Sequence, residues 1–300
     1  MARGIGRGKT ILFGEHFVVH GAPAIAGGIS NSAIVDVVEA KENKIITELK
    51  VVEELSVAGI SAVLKSMGMK KKYQVRLSGD LPTYGGLGSS AAFCVALVKA
   101  FAKEKKVRLK NDIVNQHAYD GEMAFHGNPS GVDNTVATYG GIVEYRRGKT
   151  MAESQFDFIR MRAPLDIVIT FSGKYSETTK MIERVQKFKD NDKREFSQLM
   201  DEYIDLEINA KKAIEEGDLE EVGRLMNTNQ RLLSEIGVSN EKNDEINEIA
   251  MVDGALGTKV TGGGGGGCCI ALARDENHAI ALATNLKKHN FDSFPTRIIK

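Results

Sequence analysis

The chain has 300 residues, of which 42% are hydrophobic and 27% are charged, a composition typical of soluble globular proteins. Lys plus Arg and Asp plus Glu both number 40, so the formal net charge is zero. This balance does not favour nucleic acid or an anionic membrane as a partner, and the length fits one large or two medium domains.

The cysteine pattern indicates neither disulfides nor zinc. Cys94, Cys268 and Cys269 form no CxxC motif, so we expect buried thiols in a reducing cytoplasm. No apolar run approaches the roughly 18 residues that span a membrane. Glycines and Glu15 interrupt the first sixteen residues, which therefore do not resemble a signal peptide.

In the first half, strands and helices are mixed. β-Branched and aromatic residues predict strands over 9–14, 33–40 and 73–79. Apolar spacing predicts helices over 53–68, 89–106 and 111–127, the last with Asn111 as its N-cap and Gly127 at its end.

The second half alternates strands with a long helical region. Strands are predicted over 165–173, 257–262, 268–273 and 293–300, and helices over 178–254, interrupted near Gly217 and Gly237, and over 275–290. This order matches the split βαβ, ferredoxin-like arrangement. The polar stretch RRGKTMAESQFD lies where we expect one domain, 1–160, to give way to a second, 161–300.

The stretch PTYGGLGSSAA (82–92) is typical of a loop that holds phosphate at the start of a helix. A Walker motif at the GKT of 8–10 would need glycine at position 3, where Arg3 stands. A dinucleotide fingerprint fits Gly86-x-Gly88-x-x-Ala91 only loosely, because SGDLPTY separates it from the preceding strand. The favoured interpretation is a G-L-G-S-S-A loop whose backbone N–H groups and helix dipole face a polyphosphate.

Three further stretches accompany this loop in order along the chain. They are GKTILFGEHFVVHGAPAIAGGI (8–29), GEMAFHGNPSGVDNTVATYGG (121–141) and GTKVTGGGGGGCCIAL (257–272). Together the four stretches resemble the motifs of the GHMP kinase superfamily, which includes galactokinases, homoserine kinases, mevalonate kinases and phosphomevalonate kinases. FGEHFVVHG and HGNPSGVDN are most similar to the mevalonate kinases.

The resemblance implies an α+β fold, with an N-terminal domain like domain 2 of ribosomal protein S5 and a C-terminal ferredoxin-like domain. It implies transfer of the γ-phosphoryl group of ATP to mevalonate, giving 5-phosphomevalonate for isoprenoid synthesis, with Mg²⁺ as a second cofactor. A cytoplasmic homodimer is expected by analogy. A kinase acting on phosphomevalonate, galactose or homoserine, and an inactive sensor of the same fold, are the alternatives.

By similarity, Asp133 is the expected catalytic carboxylate and Lys9 the cation beside it. Ser90 and Glu122 are expected to hold Mg²⁺, whose preferred ligands are oxygens. The residues expected by similarity to bind the phosphates are Pro82, Gly85, Gly86, Leu87, Gly88, Ser89, Ser90 and Ala91. The residues expected at the acid substrate are Glu15, His16, Thr179 and Gly263, with Thr178 as the alternative to Thr179 and the substrate's carboxylate as the partner of His16.

Each assignment has a simpler structural alternative. Asp133 fits a turn, Glu122 an exposed position in the last turn of a helix, and Lys9 an exposed strand edge. His126 is expected to be a helix-end residue rather than a ligand. The chain also departs from the family pattern. Arg7 replaces a proline, Tyr84 replaces a glycine in the phosphate loop, and Gly263 replaces an alanine, which we expect to loosen the third motif.

Overall fold

The computed structural model describes residues 1–49, 51–83, 85–127, 129–150, 153–174 and 178–298. Tyr84, at which the chain departs from the family pattern, lies outside them. Within these ranges no helix is both long and apolar enough to cross a membrane.

The strands follow one another along the whole chain. They are β1 (Ala2–Phe13), β2 (Ala24–Ala40), β3 (Lys44–Ile46), β4 (Lys72–Gly79), β5 (Ile142–Arg146), β6 (Gln155–Ile159), β7 (Leu165–Phe171), β8 (Gly257–Thr261), β9 (Cys268–Leu272) and β10 (Asp292–Ile298).

The helices fall between these strands, with a 3₁₀ turn at Phe17–His20 after β1. They are α1 (Glu53–Ser66), α2 (Ser89–Glu104), α3 (Asn111–His126), α4 (Val132–Tyr139), α5 (Thr178–Asn191), α6 (Lys193–Glu216), α7 (Leu219–Glu235), α8 (Glu241–Val252) and α9 (Glu276–Lys288).

The chain forms two compact units. The first contains the described residues of Met1–Lys9, Gly28–Thr83 and Leu87–Gly140, and the second those of Thr10–Gly27, Tyr84–Gly86 and Gly141–Lys300. The division of the sequence into domains of 1–160 and 161–300 stays a prediction.

The first unit is built around α2, which is buried along most of its length between α1, α3 and α4. β2 pairs antiparallel with β4, and β3 pairs parallel with β4. β1 lies directly on the backbone of α2, since a Cβ on Gly4 or Gly6 would come 1.9 Å from the carbonyl oxygens of Ala96 or Ala92. Only glycine permits so close an approach.

The second unit carries the ferredoxin-like arrangement that the sequence predicts. Its antiparallel strands lie in the order β10-β7-β9-β8, with α5 to α8 between β7 and β8 and α9 between β9 and β10. β7 (LDIVITF) and β9 (CCIAL) are buried, mostly apolar runs, which explains why these two strands were predictable.

The structure corrects several details. The predicted N-cap Asn111 is wrong, because the helix already includes Asn111 and the cap position is Lys110. The long helical region breaks at Asp192 as well as near Gly217 and Gly237, since the Asp192 side chain caps α6 by accepting from the Glu195 amide. The sequence analysis did not predict α4, β3, β5 or β6.

Candidate active site

The phosphate-binding stretch begins α2. Gly88 is the N-cap with φ of +65°, and Ser89, Ser90 and Ala91 form the first turn. The first-turn amides of a helix have no partner within it, so they are suited to an anion. A Cβ on Gly88 would lie 2.9 Å from Lys9 Cγ, and the Lys9 amide donates to the Leu87 carbonyl at 2.9 Å. Gly88 is therefore required both by its dihedral angle and by space.

Lys9 and Asp133 form an ion pair in the first unit, with 3.1 Å between Lys9 Nζ and Asp133 Oδ1. The Lys9 side chain is 4% exposed, whereas that of Asp133 is 32% exposed. Asp133 lies in the first turn of α4, where a helix dipole favours negative charge. A buried cation thus neutralises a carboxylate that remains open to a ligand.

Glu122 is a buried carboxyl group on α3. Burial, reinforced by the nearby charge of Asp133, raises its pKa to about 8, although the hydroxyl of Ser90 and the charge of Lys9 oppose the shift. Among the described residues, Glu122 Oε1 is one of the few buried oxygens without a hydrogen-bond partner. Such an atom is costly unless a cation or proton satisfies it.

Gly121 explains how Glu122 comes so close to the start of α2. A Cβ at this position would lie 2.7 Å from Val63 Cγ2 on α1 and 2.8 Å from Cys94 Sγ on α2. The missing side chain lets α3 pack tightly against both helices. As a result, Glu122 reaches the Ser90 hydroxyl.

In the second unit Glu15 pairs with Lys259. Both side chains are completely buried, and Lys259 Nζ donates to Glu15 Oε1 and, at 2.6 Å, to the carbonyl of Val260. Burial lowers the pKa of Lys259, an effect that the Glu15 carboxylate opposes. The Glu15 carboxylate is therefore held in an internal ion pair, and Glu15 immediately precedes His16 in the chain.

His16 has an unusual backbone and a defined ring partner. Its φ is +63°, and its Nε2 lies 2.9 Å from the carbonyl oxygen of Gly263. A carbonyl only accepts, so Nε2 carries the proton, while burial lowers the pKa of the ring. To donate to a substrate carboxylate, His16 must release Gly263 or bind a second proton.

The six glycines form the tight loop between β8 and β9. Positive φ angles occur at Gly262 and at 264–267. A Cβ on Gly262 would lie 2.8 Å from Gly86 Cα, so the two glycine stretches approach each other backbone to backbone. The Cys268 thiol also donates to the Gly85 carbonyl at 3.5 Å. The loop is therefore a packed element of the second unit rather than a linker.

The structure thus gathers the expected residues in two groups. Lys9, Gly88, Ser90, Glu122 and Asp133 lie together in the first unit. Glu15, His16 and Gly263 lie together in the second unit. Thr179 is exposed in the first turn of α5, as is Thr178, so the choice between them stays open.

The sequence analysis did not predict the contacts that two residues, Lys259 and His126, make with the expected site residues. Lys259 stands within a fully buried strand, GTKVT, and a charge in such a run is the available signal of a buried partner. His126 ends α3, as expected, but its Nε2 also lies 3.1 Å from Ser90 Oγ. Its position four residues after Glu122 was the available signal, because such residues share a helix face.

Two protein-family models match separate parts of the chain. A model of the GHMP kinases N terminal domain matches residues 54–141, and a model of the GHMP kinases C terminal region matches residues 210–292.

Full-length relatives match as well. The mevalonate kinase of Pyrococcus furiosus is 32% identical over 93% of this chain and 91% of its own length, and that of Aeropyrum pernix is 32% identical over 91% and 89%. The crystal structure of L. major mevalonate kinase in complex with R-mevalonate superposes with a TM-score of 0.93 at 32% identity, covering 99% of this chain and 96% of that one.

Proposed function

Since this chain belongs to the GHMP kinase family, we propose that it transfers the γ-phosphoryl group of ATP to the C5 hydroxyl of mevalonate. The observation that carries the proposal is the Lys9–Asp133 ion pair beside the start of α2. The matched mevalonate kinases, which align along more than nine-tenths of the chain, support the choice of acceptor.

Phosphoryl transfer needs positioning and charge stabilisation more than covalent chemistry. Asp133 accepts or orients the proton of the attacking hydroxyl. Lys9 holds Asp133 in place through the ion pair and balances negative charge that develops as the hydroxyl oxygen attacks. The first-turn amides of α2, at Ser89, Ser90 and Ala91, bind the phosphate oxygens of ATP.

Mg²⁺ fits the oxygens that this site presents. The unpartnered, buried Glu122 Oε1 and the hydroxyl of Ser90 are hard ligands of the kind that Mg²⁺ prefers. Bound with ATP, the ion neutralises phosphate charge. Glu122 and Ser90 would hold it, and their own contribution is to keep two oxygens together at the start of α2.

The acceptor pocket is assigned to residues of the second unit. His16 and Gly263 provide its polar contacts, and Glu15 fixes the backbone that precedes His16 by pairing with Lys259. Thr179 offers a further hydroxyl. The cytoplasmic location and the homodimer stay predictions.

The test is a coupled ADP-release assay with Mg-ATP against mevalonate, phosphomevalonate, galactose and homoserine. Turnover with mevalonate alone is expected. Turnover with another acceptor and none with mevalonate would overturn the choice of substrate while keeping the phosphoryl-transfer chemistry. ATP binding without turnover on any acceptor would instead favour a sensor.

A further inference from the structure

One side chain of the first unit contacts the proposed metal site without a role in the account above. His126 and Glu122 stand one turn apart on α3, and both reach Ser90 at the start of α2. The distance from His126 Nε2 to Ser90 Oγ is 3.1 Å. One face of α3 therefore provides both side chains that contact the Ser90 hydroxyl.

The protons of this chain of contacts can be assigned from donor and acceptor chemistry. To bind a metal, Glu122 must be an ionised carboxylate, which only accepts hydrogen bonds. The Ser90 hydroxyl therefore donates its single hydrogen in a bond to Glu122. The bond between His126 and Ser90 then requires the proton to lie on His126 Nε2. One lone pair of Ser90 Oγ then accepts from His126, which fixes the orientation of the hydroxyl. The second lone pair of Oγ remains for the metal.

We propose that His126 is a positioning residue for magnesium binding, which it supports by fixing the Ser90 hydroxyl. In this role His126 acts through its hydrogen bond to Ser90. This role rests on one part of the proposed function, namely that Ser90 and Glu122 hold the Mg²⁺ that accompanies ATP.

The same helix supplies a matched control. His117, near the middle of α3, makes the same type of contact, with 2.6 Å between its Nδ1 and the hydroxyl of Ser66 on α1. Substitution of His117 removes a histidine–serine hydrogen bond from α3 but leaves Ser90 untouched.

The experiment measures ATP binding by isothermal titration calorimetry with and without Mg²⁺, in the absence of any acceptor. The readout is the ratio of the two dissociation constants, which is the gain in ATP affinity that the metal provides. The proteins are the wild type, His126→Ala, His126→Gln and His117→Ala. Gln keeps an N–H donor close to the position of Nε2, and thermal unfolding checks that each variant folds.

We expect His126→Ala to reduce the gain about 3- to 10-fold, the effect of one lost hydrogen bond. The affinity for metal-free ATP should change by less than about 2-fold. His126→Gln should restore most of the gain, and His117→Ala should keep all of it.

An unchanged gain in His126→Ala, or equal losses in His126→Ala and His126→Gln, would overturn the role of His126. Because no acceptor is present, the result is independent of the substrate. A wild type that shows the gain but does not phosphorylate mevalonate would refute the proposed function and leave this inference standing.

Discussion

The buried pair of Lys259 and Glu15 offers a sharp test of the second unit. Both side chains have no solvent exposure. Removing one partner of such a pair leaves an uncompensated buried charge, which costs about 3–5 kcal/mol. We therefore expect both Lys259→Met and Glu15→Gln to lower the free energy of unfolding by about that amount.

The double variant separates this effect from lost packing. With both charges removed, the loss in Lys259→Met/Glu15→Gln should be smaller than the sum of the two single losses by about 2 kcal/mol or more. Urea unfolding at neutral pH, with linear extrapolation, measures each value.

An exposed ion pair provides the control. Lys71 Nζ lies 2.6 Å from Glu39 Oε2, but the two side chains are 62% and 53% exposed. Lys71→Met should leave the free energy of unfolding nearly unchanged, because exposed ion pairs contribute little to stability. The reasoning would be refuted if Lys259→Met cost as little as Lys71→Met, or if the losses in the double variant were simply additive.

Three further predictions concern other parts of the chain. Asp133→Asn should lower kcat by about 10²- to 10⁴-fold with little change in the dissociation constant of ATP, and a kcat within a few-fold of wild type would exclude its role. Gly88→Ala should lower both stability and kcat, because its φ is +65° and its Cβ would lie 2.9 Å from Lys9 Cγ; wild-type values for both would contradict this strain. Burial, with a contribution from Glu144, raises the pKa of Glu207 to about 7 from 4.5, so the folded state holds a proton that the unfolded state loses, and stability falls as pH rises between these values. The free energy of unfolding of Glu207→Gln, measured with urea, should therefore rise by about 1–3 kcal/mol relative to that of the wild type between pH 5 and pH 8. A difference between the two proteins that is independent of pH would refute the raised pKa of Glu207.

Local pattern was sufficient where the elements are buried and regular. β7 (LDIVITF) is a buried run rich in β-branched residues, and α2 is apolar along most of its surface, so each has a strong signal within a short window. β6 exposes most of its side chains, and α4 has only eight residues, so neither carries a clear period.

The side-chain caps of α6 and α7 lie at positions that the sequence analysis did not name as caps. Asp192 and Asp218 cap α6 and α7 by accepting from the amide three residues later. Asn111 has the right chemistry for this role. However, α3 begins early enough to include it, and the cap position falls on Lys110.

The site contacts that the sequence analysis missed are long-range. Lys259 meets Glu15 across 244 positions of the chain, and His126 meets Ser90 across 36. A lysine in a strand and a histidine at a helix end both have ordinary exposed explanations. Only the packing of distant segments reveals that the lysine is a buried counter-ion and that the histidine forms a hydrogen bond with Ser90.

The most direct measurement is identification of the product by phosphorus NMR after incubation of the chain with Mg-ATP and mevalonate. The account predicts a new phosphate monoester coupled to the C5 methylene protons, formed by the wild type and almost lost in Asp133→Asn. ADP release without this ester, or equal ester formation by both proteins, would contradict it.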